Sequence, residues 1–288
     1  ALADYAITSS STSASGPAIT LIGETSRAGW TGLDLGGTGA GNYLIQSLGA
    51  TGGGVTLTGN QTNTSGYGIN TAANAYVLSK SGAIVVGGIT PQDLLFSGAI
   101  KLGAYSAGVT IAGPGVSSAV TSSAADVTVQ GDRLGTVNNV AISTTGQATI
   151  QSVSNSFGSA FTLGSNWTFG NAVSGLTIGK SNNTQAITIA SAVSLPGPIT
   201  INGGLVMLNA DLNPTGSAGD VSITATGLTG SGGIGLTTGR SLTVTQSGTS
   251  VYSGLITGSN ITLTKLGVGA LNLPVANTFT GSTLVSAG

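Results

Sequence analysis

One three-residue motif, apolar-Thr-apolar, recurs along the chain and constrains the fold more than any other feature. It stands at Val55-Thr56-Leu57, Val109-Thr110-Ile111, Val127-Thr128-Val129, Ala148-Thr149-Ile150, Trp167-Thr168-Phe169, Leu176-Thr177-Ile178, Ile187-Thr188-Ile189, Ile199-Thr200-Ile201, Leu242-Thr243-Val244 and Ile261-Thr262-Leu263, with Val221-Ser222-Ile223 a near copy. Alternation with period two marks a strand with one face buried and the other wet. Successive starts lie 18, 21, 19 and 20 residues apart from 109 to 187, and 22, 21, 19 and 22 apart from 199 to 283. Strands this short do not hold as isolated hairpins. A repeat near 20 residues suits stacked coils, each burying its apolar face against the next. The step from 187 to 199 is only 12. There the phase slips, or two strands of one coil are being compared.

The expected fold is therefore all-β: a right-handed parallel β-helix, or β-solenoid, with about 20 residues per coil. Handedness follows the general preference of parallel crossovers. Asn-Gly and Asp-Gly hairpin turns are nearly absent between the strands, which favours parallel coils. About a dozen rungs at ~4.8 Å would make a rod on the order of 60 Å. The apolar residues of each triplet are expected inside and the Thr outside. Gly should take the corners that need positive φ. Asn60, Asn202 and Asn260 are expected at corners, their amides stacked in ladders. Helical signals are nearly nil; Pro91–Phe96 reads as one turn of helix or a cap.

Three regions follow. Residues 1–50 are the least regular and read as an N-terminal cap, with Trp30, Leu33, Leu35, Tyr43, Leu44 and Ile45 covering the first rungs. Residues 51–262 carry the coils. Residues 263–288 form the last coils.

Composition excludes several functions. Charged residues make up 5% of the chain, against roughly 25% in ordinary domains, so hydroxyls, amides and backbone must cover the surface. The seven cations, Arg27, Lys80, Lys101, Arg133, Lys180, Arg240 and Lys265, are scattered singly. No clustered basic face exists for nucleic acid or an anionic membrane. With no Cys and no His, neither a disulfide nor a Cys/His zinc site can form. No cofactor is expected, and no apolar run approaches the ~18 residues of a membrane helix. Ala1-Leu2-Ala3 is compatible with the small-residue end left by a cleaved signal, or with a plain boundary.

Candidate chemistry is sparse. The carboxylates are Asp4, Glu24, Asp34, Asp93, Asp126, Asp132, Asp211 and Asp220. Cleaving a glycosidic bond takes two carboxyls facing each other across it. Asp126 and Asp132, beside Arg133, are the one acidic–basic cluster, and a solvated turn explains them more simply. No catalytic or metal-binding residue is assigned. Thr pairs on outward faces (Thr56–Thr58, Thr224–Thr226, Thr243–Thr245, Thr262–Thr264) have the form of an ice-binding ladder, but no unbroken face of them is visible in the sequence. Thr is also simply a good strand residue. The aromatics Tyr5, Trp30, Tyr43, Tyr67, Tyr76, Tyr105, Trp167 and Tyr252 offer stacking surfaces for a sugar or partner, or fill core and corners.

The stretch Leu263–Gly288 carries a resemblance. Lys265, Gly267, Gly269, Leu271, Leu273, Asn277, Phe279, Thr280, Gly281, Thr283, Val285 and Gly288 fall on the pattern of the passenger-associated repeat of bacterial autotransporters. Pro274 and Leu266 depart from it. The resemblance covers about the last tenth of the chain. It implies an autotransporter passenger or filamentous-haemagglutinin-like β-helical protein at the bacterial surface, non-catalytic, an adhesin stalk or a self-assembling fibre or sheath subunit. Its expected partners are other copies of itself, or a glycan or protein of a host or cell surface. A polysaccharide lyase or hydrolase is the alternative, and ice binding the second.

Overall fold

The computed structural model describes residues 154–288 without interruption. Before them it describes the segments 5–9, 19–25, 32–34, 42–47, 55–61, 69–70, 74–79, 84–88, 94–95, 100–104, 127–130, 134, 140–143 and 145–152. The described residues contain strands and no helix, and every pairing between strands is parallel. The chain is a β-solenoid. It falls into two compact units: residues 1–154 with 166–173, and residues 155–165 with 174–288.

The second unit shows why the triplets stack. One of its faces is built from Gly175–Ile178, Ile199–Asn202, Val221–Ala225, Ser241–Gln246, Ile261–Leu266 and Gly281–Val285. In it Leu176 pairs with Ile199, 23 residues on. Ile199 pairs with Val221, 22 on, Val221 with Leu242, 21 on, and Leu242 with Leu263, 21 on. A second inward column runs Ile178, Ile201, Ile223, Val244. These aliphatics are at most 4% exposed, while the Thr and Ser between them are half-buried or exposed. Like meets like because the coil step is nearly constant, so each inward side chain lands on its counterpart.

Most coils have two further short strands. Phe161–Leu163, Ile187–Ile189, Leu205–Leu208 and Gly227–Gly230 make a second face. Val193–Leu195, Leu212–Pro214, Ile234–Gly235 and Ile256–Thr257 make a third. This resolves the 12-residue step. Ile187 and Ile199 lie on different faces of one coil. Nor are Ala148 and Trp167 rung mates: Ala148 pairs with Val127, and Trp167 with Val140. The final steps shift by two residues, with Leu242 opposite Leu263 rather than Ile261.

In the first unit the steps are longer and uneven. Ile19 pairs with Val55, 36 residues on, Val55 with Ile84, 29 on, and Ile84 with Val127, 43 on. Tyr5–Ser9, Ile19–Thr25 and Asn42–Ser47 are rungs of these sheets, so the described parts of residues 1–50 already stack as coils. Leu44 and Ile45 are buried as expected; Trp30 and Leu35 lie outside the described residues. Where a turn of helix or a cap is expected over 91–96, Leu94–Leu95 is a strand paired with Ile69–Asn70; 91–93 and 96 lie outside the described residues. Val109–Ile111 also lies outside them.

Corners are closed by polar side chains. Among the described residues every positive φ falls on Gly except that of Asn260, at 53°. Asn202 does sit at a corner, but its amide donates to the Gly179 carbonyl (3.1 Å) instead of another amide. The side chain of Asn60 lies outside the described residues.

The tightest corner belongs to Asn183, 6% exposed. Its Oδ1 accepts from Ser156 Oγ (2.9 Å), Phe157 N (3.1 Å) and Gln185 N (3.2 Å). Its Nδ2 donates to the carbonyls of Gln185 (3.2 Å) and Asn202 (2.9 Å). Asn183→Ala should lower stability by about 2 kcal/mol, because buried backbone groups then lose their partners. Its exposed neighbour provides the control: Asn182→Ala should leave the urea midpoint nearly unchanged.

Candidate functional site

Register assembles what the sequence leaves scattered. On the first face of the second unit, Thr177, Thr200, Ser222, Thr243 and Thr264 stand directly above one another. Beside them run Asn202, Thr224 and Thr245, and Ser241, Thr262 and Ser282. Ser282 and Thr262 bond hydroxyl to hydroxyl at 3.2 Å. A hydroxyl column thus runs through five coils of this unit, but no unbroken face of Thr pairs forms: Ser and Asn interrupt the columns, which end at Leu266 and Leu284. Hydroxyls recur about every 4.8 Å between rungs and about every 6.7 Å along a strand. In the first unit the row breaks early, since Thr56 lies between Thr20 and Val85.

The described carboxylates of the second unit brace the coils. Asp211 Oδ1 accepts the Gly233 N–H at 2.7 Å, and Asp220 Oδ1 accepts the Ser241 N–H, also at 2.7 Å. Each reaches the following coil. Glu24 and Asp34 are exposed. Asp4, Asp93 and the cluster Asp126, Asp132 and Arg133 lie outside the described residues. Among the described residues no group of three or more acidic side chains is placed to hold a metal ion, and no helix is long and apolar enough to cross a membrane.

Two aromatics prove to be core. Trp167 is 4% exposed and Tyr252 fully buried. The side chains of Tyr5, Trp30, Tyr43, Tyr67, Tyr76 and Tyr105 lie outside the described residues. The Tyr252 hydroxyl donates to the Gly232 carbonyl of the preceding coil. Burial first, and the negative charge of Asp211 second, push its pKa well above the ordinary 10.0. Its stabilisation is therefore complete below pH 10 and is lost as pH climbs above 10, where the unfolded chain ionises first. Above pH 10, wild-type stability should fall more steeply than that of Tyr252→Phe, by up to about 1.4 kcal/mol per pH unit. Below pH 10 the variant should be weaker by about 1 kcal/mol for the lost bond. Urea titrations from pH 8 to 11.5 measure both.

The terminal motif is a set of coil fasteners. Lys265 occupies the inward column next to Val244, where an aliphatic stands in the coils before it. It is 6% exposed, and its ammonium donates to the carbonyls of Leu266 (2.7 Å), Gly267 (2.9 Å) and Ala287 (3.3 Å). Asn277 accepts the Ile256 N–H (2.7 Å) and donates to the Val275 carbonyl (3.0 Å). Thr280 Oγ1 accepts the Asn260 N–H at 2.9 Å. Gly267 has φ +78°, and a Cβ there would overlap the Gln246 carbonyl of the coil before. Sequence reading counts Lys265 both as a scattered cation and as a motif residue. Its inward phase, two residues after Leu263, is the signal that it is internal.

No protein-family model, no curated protein and no solved structure matches the chain.

Proposed function

We propose that the chain is a non-catalytic extracellular bacterial surface protein of the autotransporter-passenger type, its coils serving as an adhesin stalk or as the subunit of a fibre or sheath. The observation that supports this most is the behaviour of the terminal motif. Lys265, Asn277 and Thr280, which carry the family pattern, are among the residues whose side chains bond one coil to another or close the last corner. A sequence pattern explained by coil closure fits a protein whose task is to be a stack. Asp211 and Asp220 add to it, because both carboxylates are engaged in bracing. The low charge leaves little repulsion between neighbouring copies. Immunogold labelling of intact source cells, with antibody raised against the chain, should decorate the outer surface; label confined to the interior overturns the reading. Negative-stain microscopy over a concentration series then separates the two forms. Filaments with a one-molecule repeat mark a fibre subunit, and isolated particles at every concentration mark a stalk.

The hydroxyl grid favours a second reading, ice binding. A repeating uncharged array of Thr and Ser is able to hold water in an ordered layer. Thermal hysteresis that disappears in Thr200→Lys/Thr243→Lys supports it, and absence of hysteresis in the wild type removes it. The polysaccharide lyase or hydrolase alternative rests on Asp126, Asp132 and Arg133. Replacing all three without loss of any detected cleavage eliminates it.

A further inference from the structure

The third face of the second unit carries a depression of about 260 Å³. Its origin is one coil with two side chains missing. Leu212, Ile234 and Ile256 stack inward and are at most 1% exposed. Their flanking residues therefore point outward: Asp211 and Asn213 on the first coil, Gly233 and Gly235 on the next, Leu255 and Thr257 on the third. At these two outward positions the middle coil offers only backbone, with Ser231 at the edge of the depression. The coils on either side of it lie about 10 Å apart, two ladder spacings.

We propose that this depression is a binding subsite for one hexopyranose unit of a neutral polysaccharide. The proposal rests on the adhesin form of the function above and names what it would hold. The Gly233 N–H holds Asp211 Oδ1 at 2.7 Å and so fixes the plane of an exposed carboxylate. A carboxylate accepts hydrogen bonds from hydroxyls, and Asn213 and Thr257 add donors and acceptors around it. Leu255, 39% exposed, gives an apolar wall for the C–H face of a ring. The volume lies just below the range of drug-sized pockets, which suits a single ring. An anionic sugar is disfavoured, because none of the lining residues is a cation to offset Asp211. With no aromatic to stack on, affinity for one unit should be weak, and adhesion would come from many copies.

The test is a titration followed by amide shifts of 15N-labelled protein, with cellotetraose, maltotetraose and α-mannotetraose as neutral probes and tetragalacturonate as the anionic one. At least one neutral tetramer should shift the Gly233, Ile234 and Gly235 amides with millimolar affinity, and tetragalacturonate should not. Asp211→Asn keeps an oxygen for the Gly233 N–H yet loses the charge. Gly235→Thr narrows the notch; its Cβ would displace the movable end of Asn213 and touch Thr257 Oγ1. Each variant should bind about tenfold more weakly, with an unchanged unfolding midpoint showing that the fold survives. No shift with any neutral tetramer, or equal shifts in wild type and both variants, overturns the subsite. Surface labelling of cells is unaffected by that outcome, so loss of the subsite and loss of the surface-protein reading remain separate results.

Discussion

Ile223→Ala should lower the stability of the second unit by about 3–4 kcal/mol, near the upper part of the range for buried aliphatic truncation. Ile223 is fully buried and packs between Ile201 on one side and Val244 on the other. Neither neighbour can close the gap without leaving its own register, because each is held in its strand by ladder bonds. In a stacked array stability is the sum of coil terms and coil–coil interfaces, and this one change weakens two interfaces at once. Ile223→Val, which removes one methylene, should cost about 1 kcal/mol. Urea unfolding followed by circular dichroism measures both. Equal, small losses for the two variants would mean that the coils repack freely.

Gly230→Ala should be of similar size, about 3 kcal/mol, from a different cause. Gly230 has φ +107°, a region open essentially to Gly alone, which costs about 1–3 kcal/mol for another residue. Its added Cβ would also overlap the backbone carbonyl of Leu208, one coil back, which belongs to a ladder and cannot swing aside. Gly239→Ala is the control. It too has positive φ (+75°), but a Cβ there meets nothing within 4 Å. The difference between the two variants reports the close approach together with the harsher φ of Gly230. If Gly230→Ala and Gly239→Ala lose the same amount, the close approach of the coils contributes nothing.

The stack was legible because its signal is local. Val-Thr-Val and Ile-Thr-Ile announce an inward pair and an outward hydroxyl wherever they occur, and the inward aliphatics of the second unit's first face lie in the core. What a triplet does not announce is its face. Ile187–Ile189 and Ile199–Ile201 look alike in sequence and belong to different sheets of one coil. The grid of Thr177, Thr200, Ser222, Thr243 and Thr264 was hidden for the same reason: it exists only once register is fixed. The Asp211 subsite is harder still. It is made by what Gly233 and Gly235 lack, and Gly is so common in this chain that a functional absence looks like one more corner. Asn183 gave a faint signal, an amide inside a polar turn, but its five bonds depend on Ser156 and Asn202, 27 and 19 residues away.

The uneven coil steps of the first unit bear on how such a chain can change over time. Its rungs stay in register although 36, 29 and 43 residues separate one strand from the next, where the first face of the second unit uses 20 to 23. Extra length between strands therefore does not disturb the ladder. Loop closure costs grow only slowly with length, about 0.6 kcal/mol per doubling. Insertions and deletions between rungs are then nearly free, whereas a single-residue slip inside a rung would turn its apolar side outward. A lineage built on this plan would diversify by swapping excursions of different length while its triplets stay fixed.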